Sequence, residues 1–168
     1  MLRRRFEDPG SFLPKLLEKD SVIADVGCGG GFYCRHLADY SSMLYCIDID
    51  ERALGAADGI LRKTGKTKYV LLTSMSSIMP HSVDVVLFAN SFHDMEDKKG
   101  MHDNAVRILK KGGRIIIVDW RKDDAHMPGP PAQIRMDESD YLKYFKEFRV
   151  AERFDPGKHH FGLLLVPA

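Results

Sequence analysis

Cysteine, tryptophan and long apolar runs are all scarce in this chain. Its three cysteines, Cys28, Cys34 and Cys46, are odd in number, and no pair has the spacing typical of zinc ligands. Neither a disulfide framework nor a metal site is expected, and the thiols read as reduced and intracellular. No apolar run approaches the ~20 residues that a membrane span needs. The opening Met1-Leu2-Arg3-Arg4-Arg5-Phe6-Glu7-Asp8 turns acidic where a signal peptide would turn apolar, which points to a cytoplasmic location. An excess of one charge is missing too. A net charge of +1 sets up no field for nucleic acid, so Arg3-Arg4-Arg5, Lys110-Lys111 and Arg121-Lys122 read as solvated surface.

What remains is the composition of a globular protein, 44% hydrophobic and 29% charged over 168 residues. That length suits one core, so a single domain over 1–168 is expected. It divides into an N-terminal segment (1–20), a central unit (21–119) and a closing part (120–168).

Short apolar runs alternate with stretches of helical spacing, the mark of parallel strands joined by crossover helices. The fold class is therefore α/β. Ser11 is expected to cap a helix reaching Lys19, with Pro14 in its first turn. Strands are expected at Val22–Val26, Met43–Ile47, Tyr69–Leu72, Val83–Phe88 and Arg114–Asp119. Helices are expected from Phe32 to about Tyr40, from Glu51 to about Arg62, and from Lys98 to a glycine cap at Gly112-Gly113. Pro128, Gly129, Pro130 and Pro131 make the 121–135 stretch a loop. A last helix capped by Asp137 or Ser139 precedes two runs, 148–154 and 161–166, that form a hairpin.

The glycine cluster after the first strand carries the chemistry. A dinucleotide fingerprint G-x-G-x-x-G fails in both registers, because the third glycine would fall on Phe32 or on Cys34. What fits is an acid two residues ahead of alternating glycines: Asp25-Val26-Gly27-Cys28-Gly29-Gly30-Gly31.

That string resembles the first motif of the class I S-adenosylmethionine-dependent methyltransferases. The likeness continues in Asp48 at the end of the second strand, in Ser82–Asn90, and in Ala105–Arg114, where Lys111 replaces the usual proline. Arg5-Phe6-Glu7-Asp8-Pro9, Val118–Lys122 and Gly129-Pro130-Pro131 bring it nearest to the type 11 group, which includes ubiquinone and menaquinone biosynthetic enzymes. The resemblance implies a Rossmann-like three-layer αβα sandwich, with a mostly parallel seven-stranded sheet and an antiparallel C-terminal hairpin strand. It also implies S-adenosylmethionine as cofactor and S-adenosylhomocysteine as product.

Under that resemblance Gly27, Cys28, Gly29 and Gly31 bring backbone within contact of the cofactor, and a helix N-terminus offers N–H groups to its carboxylate. Asp48 holds the ribose hydroxyls and Ile49 packs on the adenine. Asp25 either fixes the methionine portion or satisfies backbone donors, and Asn90 lies in the fourth-strand motif. Many relatives carry an acid after the third strand for the adenine amino group; here Ser74 or a backbone carbonyl takes that place.

Methyl transfer needs positioning more than a catalytic triad. If the acceptor must lose a proton, His93 and Asp94 are the nearest candidates, though His93 can equally cap a helix or orient a loop. His126, His159 and His160 lack partners for a metal, and Trp120 either lines the acceptor pocket or completes the core. A small-molecule acceptor is expected, with a homodimer or partner protein completing its pocket as an open alternative. The competing functions are a nicotinamide-dependent oxidoreductase and a non-catalytic cofactor-binding subunit.

Overall fold

The computed structural model describes residues 6–66, 68–123 and 129–168. Arg3-Arg4-Arg5, His126 and Pro128, singled out above, lie outside them.

The elements are α1 (Pro9–Leu16), β1 (Ser21–Val26), α2 (Cys34–Leu37), β2 (Ser41–Ile47), α3 (Glu51–Thr64), β3 (Tyr69–Leu72), β4 (Val83–Ala89), a 3₁₀ turn (Phe92–Asp94), α4 (Lys98–Ile108), β5 (Leu109–Trp120), α5 (Glu138–Tyr144), β6 (Phe148–Phe154) and β7 (His160–Pro167). The seven strands form one sheet in the order β3-β2-β1-β4-β5-β7-β6. Strands β1 to β5 pair in parallel, while β7 runs antiparallel to both β5 and β6.

Period-two alternation sorts the sheet's side chains between two cores. Ile23, Val85, Leu87, Ile116 and Val118 face the layer holding α1, α2 and α3, where they meet Leu13, Leu37 and Leu61. Ala24, Val86, Phe88, Ile115 and Ile117 face the other, with Ile108, Tyr141 and Phe145 of the α4 and α5 side. Both faces are covered, which is why β4 and the inner part of β5 read as unbroken apolar runs. The three-layer αβα arrangement expected from the sequence is the one observed. Among the described residues no helix is long and apolar enough to cross a membrane.

Three local expectations change. Helix α1 starts at Pro9, not Ser11: Asp8 is the cap, accepting the Gly10 N–H at 3.1 Å, and Pro9 sits at the start, where no intrahelical donor is lost. Pro14 then falls inside the helix, past its first turn. Helix α2 covers only Cys34–Leu37, because the chain turns through residues 30–33 before it can form. Helix α4 ends at an extended Leu109, not at a glycine; Leu109 already pairs with Val83, and Gly112 (φ +80°) serves a bulge within β5. Asp137 is the cap of α5, in a reciprocal capping box with Asp140.

The order of strands reverses direction between β1 and β4, and the crevice beyond the carboxyl ends of these strands is where open α/β sheets bind ligands.

Candidate active site

The glycine turn leaves β1 at that crevice. Gly27, Gly29 and Gly31 all have positive φ, at +76°, +52° and +83°, but each is glycine for its own reason. A Cβ at Gly27 would stand 2.3 Å from that of Ser91, and one at Gly31 would stand 2.9 Å from the Ala57 backbone. These two glycines allow the turn to pack between β4 and α3. A Cβ at Gly29 meets nothing within 4 Å, so this glycine alone borders open space. The N–H groups of Gly27 and Cys28 are both taken by the Ile47 carbonyl, at 2.8 and 3.0 Å. With α2 beginning only at Cys34, the backbone donors expected to face a ligand at the turn are fewer than the sequence suggested.

Asp48 closes β2 beside this turn. Its carboxylate accepts the Gly29 N–H at 2.8 Å and the Asp50 N–H at 3.0 Å, so it is oriented from both sides while keeping acceptor capacity for a diol. Ile49 follows and is 90% exposed, an apolar side chain with no protein to cover it. Ser74 lies after β3 and shares a 2.7 Å hydrogen bond with the Ser76 hydroxyl. Arg107 of α4 fixes this loop by donating to the carbonyls of Ile78 and Met75, at 2.9 and 2.8 Å.

Beneath the turn Asp25 is buried and accepts from the Cys34 thiol at 3.2 Å. Cys34 also lies 2.7 Å from Cys46, sulfur to sulfur, and all three cysteines are buried free thiols. Hydrogen bonds from Cys34 and Cys46 pull the Cys28 thiol below its usual range, while the bond with Cys28, with burial added, pushes the Cys34 thiol up. The Cys28 side chain is buried in this thiol cluster, away from solvent.

Asn90 ends β4 in a left-handed conformation (φ +54°) that asparagine tolerates better than most residues. Its amide nitrogen donates to Glu7 at 2.8 Å, and its amide oxygen is buried with no partner among the described residues. Glu7, itself buried, also accepts from the Tyr33 hydroxyl and lies 3.5 Å from His160. A Cβ at Gly157 would collide with the Phe6 carbonyl, so the N-terminal segment is pressed against the loop before β7. Trp120 is packed among Phe6, His160 and Arg135. It lies in this framework, while His159 and His160 join no group able to hold a metal among the described residues.

On the opposite face of the sheet, His93 is buried in the 3₁₀ turn after β4. Its Nδ1 lies 2.8 and 2.9 Å from the two carboxylate oxygens of Asp119, at the end of β5. Asp119 is fully buried and also accepts from the Tyr141 hydroxyl and the Trp120 N–H, donors that offset the burial of its charge. Burial works against a protonated His93, but the hydrogen bond and charge of Asp119, helped by Asp94, outweigh it, and the imidazole is pushed above its ordinary value. Asp94 lies 3.3 Å from Nε2 with a mostly exposed side chain. The structure thus sets His93 and Asp94, the two candidates expected from sequence, beside Asp119 and Tyr141, which no local motif marks, and Glu7 lies with Asn90.

A cavity of about 490 Å³ opens at His93, walled by Lys98, Lys122, the 133–136 segment, Asp140, Lys143 and Tyr144. A larger one, about 660 Å³, lies between α5 and the C-terminal hairpin and includes neither the glycine turn nor His93.

The residues at the crevice fit S-adenosylmethionine. The space at Gly29 is the cradle a side chain would fill, and the unpartnered Asn90 oxygen suits an ammonium group. Asp48 suits the ribose diol, and the bare Ile49 suits a purine face. Comparison with known proteins points to the same cofactor. A family model described as a methyltransferase domain matches residues 24–117. The 2-methyl-6-phytyl-1,4-hydroquinone methyltransferase of Synechocystis is 30% identical over 115 residues, 67% of this chain. The chain spans only 36% of that relative's length. A Sulfolobus solfataricus crystal structure assigned provisionally to the type 11 methyltransferases is 46% identical, with TM-score 0.87 and coverage of 96% of this chain and 93% of the other. A SAM-dependent methyltransferase from Aquifex aeolicus shares the fold at TM-score 0.88 and 24% identity, covering 99% and 93% of the two chains. With more than half of its residues inside the family's own pattern, this chain belongs to the type 11 group of class I S-adenosylmethionine-dependent methyltransferases.

Proposed function

We propose that the chain transfers a methyl group from S-adenosylmethionine to a protic group on a small molecule, with His93 receiving the acceptor's proton. The pairing of buried Asp119 with His93, which lines the 490 Å³ cavity, supports this reading. A carboxylate on Nδ1 fixes the tautomer in which that nitrogen holds its proton and Nε2 is left as the base.

The cofactor, when bound, supplies a methyl group on a positively charged sulfur, ready for in-line displacement. The chain supplies position. Asp48 holds the ribose diol, Ile49 covers the adenine, and Ser74 or its backbone meets the adenine edge. Gly27, Cys28, Gly29 and Gly31 bring main chain against the cofactor, with Asp25 fixing the turn from below through Cys34. Asn90 takes the methionine ammonium on its free amide oxygen. His93 removes the acceptor proton at Nε2 as the new bond forms, and Asp94 then stabilises the imidazolium by accepting from that nitrogen. Tyr141 and the Trp120 N–H hold Asp119 in place.

Thermal shift and methyl transfer together test this. S-adenosylhomocysteine at ~100 times its dissociation constant stabilises by about 2.7 kcal/mol, a rise of roughly 5–10 °C in Tm for a chain of this size. NAD at the same concentration leaves Tm unchanged. A shift with NAD alone would overturn the cofactor assignment. A shift with S-adenosylhomocysteine but no labelled methyl transfer to any member of a broad acceptor panel would favour a cofactor-binding subunit.

A further inference from the structure

We infer that the cavity at His93 selects an acceptor carrying an anionic group, a carboxylate or a phosphate monoester, on a small apolar body. This rests on the methyltransferase reading above and adds the chemical class of the acceptor.

Charge is the first observation. Among the described residues the cavity wall holds Lys98, Lys122 and Lys143, with Arg135 turned to the carbonyls of Pro130 and Arg121, against the carboxylate of Asp140, and Asp94 lies beside His93. Asp140 is already shared, accepting from Lys122 and Lys143 at 2.8 Å each. Lys98 differs from both. Its ammonium donates to the carbonyls of His93 and Met95, at 2.9 and 2.7 Å, and among the described residues no carboxylate lies within ion-pair distance of it. Two of its three protons are anchored, so the third is aimed from a fixed point while the charge stays uncompensated. Because one of those anchors is the backbone of His93, the cation and the imidazole are held at a set separation. An anion on Lys98 would place the rest of a small molecule beside His93.

Exposed apolar surface is the second. Ile134 and Tyr144, both in this wall, are 42% and 37% exposed, two of the few large apolar side chains left open among the described residues. Tyr144 is steadied edge-on by Phe92. An aromatic or short aliphatic body can cover both while its anionic end reaches Lys98, and 490 Å³ is room for a ligand of that size.

Calorimetry on the full chain tests the inference with 4-hydroxybenzoate, phenyl phosphate and the neutral isostere 4-hydroxybenzamide, each with and without saturating S-adenosylhomocysteine. At low salt at least one anion should bind tenfold or more tightly than the amide, and the gap should narrow severalfold at 0.5 M salt as the charges are screened. Preference for the benzoate or for the phosphate identifies which anion the site takes. Lys98→Met should bring the favoured anion within about threefold of the amide, while Lys98→Arg should keep most of the preference. Equal affinities for acids and amide in the unmutated chain, or no heat from either anion at 10 mM, would overturn the inference whether or not the variants fold. A preference that survives Lys98→Met in a chain still binding S-adenosylhomocysteine would do the same. Failure to bind S-adenosylhomocysteine is a separate result and strikes the methyltransferase reading itself.

Discussion

The imidazole of His93 and the carboxylate of Asp119, 26 residues apart in sequence, meet at 2.8 Å where β4 and β5 end side by side. His93→Gln should lower kcat for a protic acceptor by about 10²–10⁴-fold, the usual contribution of a positioned base. Asp119→Asn should lower it as well, by leaving the tautomer unfixed. Neither should move the dissociation constant of S-adenosylhomocysteine by more than about threefold. A His93→Gln enzyme with full kcat would remove the base from the mechanism.

The same pair fixes the direction of a pH profile. His93 titrates above its ordinary value of about 6.5, and only its neutral form accepts a proton, so kcat should climb with pH and reach half its plateau above pH 6.5. In Asp119→Asn, burial acts with only Asp94 to oppose it, so the climb should move to lower pH. Linkage adds a stability effect of the same origin. A raised histidine stabilises the fold fully below pH 6.5, and that contribution is lost as pH rises through the folded value. Urea unfolding of the unmutated chain and His93→Gln at pH 5.5 and 9 should show a difference that shrinks at the higher pH.

Asp48→Ala should weaken S-adenosylhomocysteine by about 1–3 kcal/mol, or roughly 5–150-fold, because the ribose loses a charged acceptor and Gly29 loses the group that holds its N–H. Titration calorimetry reads this directly. Unchanged affinity would place the ribose elsewhere.

Two glycines of one turn should separate packing from binding. Gly29→Ala carries the strain of positive φ, about 1–2 kcal/mol, with no collision, but its methyl enters the cradle and should reduce cofactor affinity more than tenfold. Gly31→Ala adds a clash with the Ala57 backbone and should cost roughly 2–5 kcal/mol in urea unfolding.

Much of this architecture was legible because its signals are local. The apolar runs gave the strands, the glycine spacing gave the turn, and Asp137 and Ser139 were both legible as caps for α5, of which the structure uses Asp137. The cap of α1 falls on Asp8, three residues ahead of the Ser11 expected from sequence, because both residue types cap well and local spacing does not choose between them. Helix α2 came out short because the glycine turn consumes the residues that spacing alone assigned to it. Asp119 and Glu7 escaped for a different reason: their partners lie 26 and 83 residues away, and no window along the chain contains both. A signal for Asp119 did exist. Adjacent parallel strands end on the same side of a sheet, so an acid closing β5 is a natural partner for a histidine just past β4.

The C-terminal strand order also bears on how the protein is put together. Strand β7 lies between β5 and β6, so β6 can join the sheet only through it. Strands β1 to β4, which lead into the glycine turn, Asp48 and Ser74, pair only with strands made before β7 and can close without it. The flank of Asp119 and Trp120 is sealed only when Phe161 and His160 pair against them. A nascent chain can therefore complete the strands that carry the glycine turn and Asp48 first and the flank of Asp119 last, and a defect in β7 should loosen Asp119 beneath His93 while leaving that turn in place.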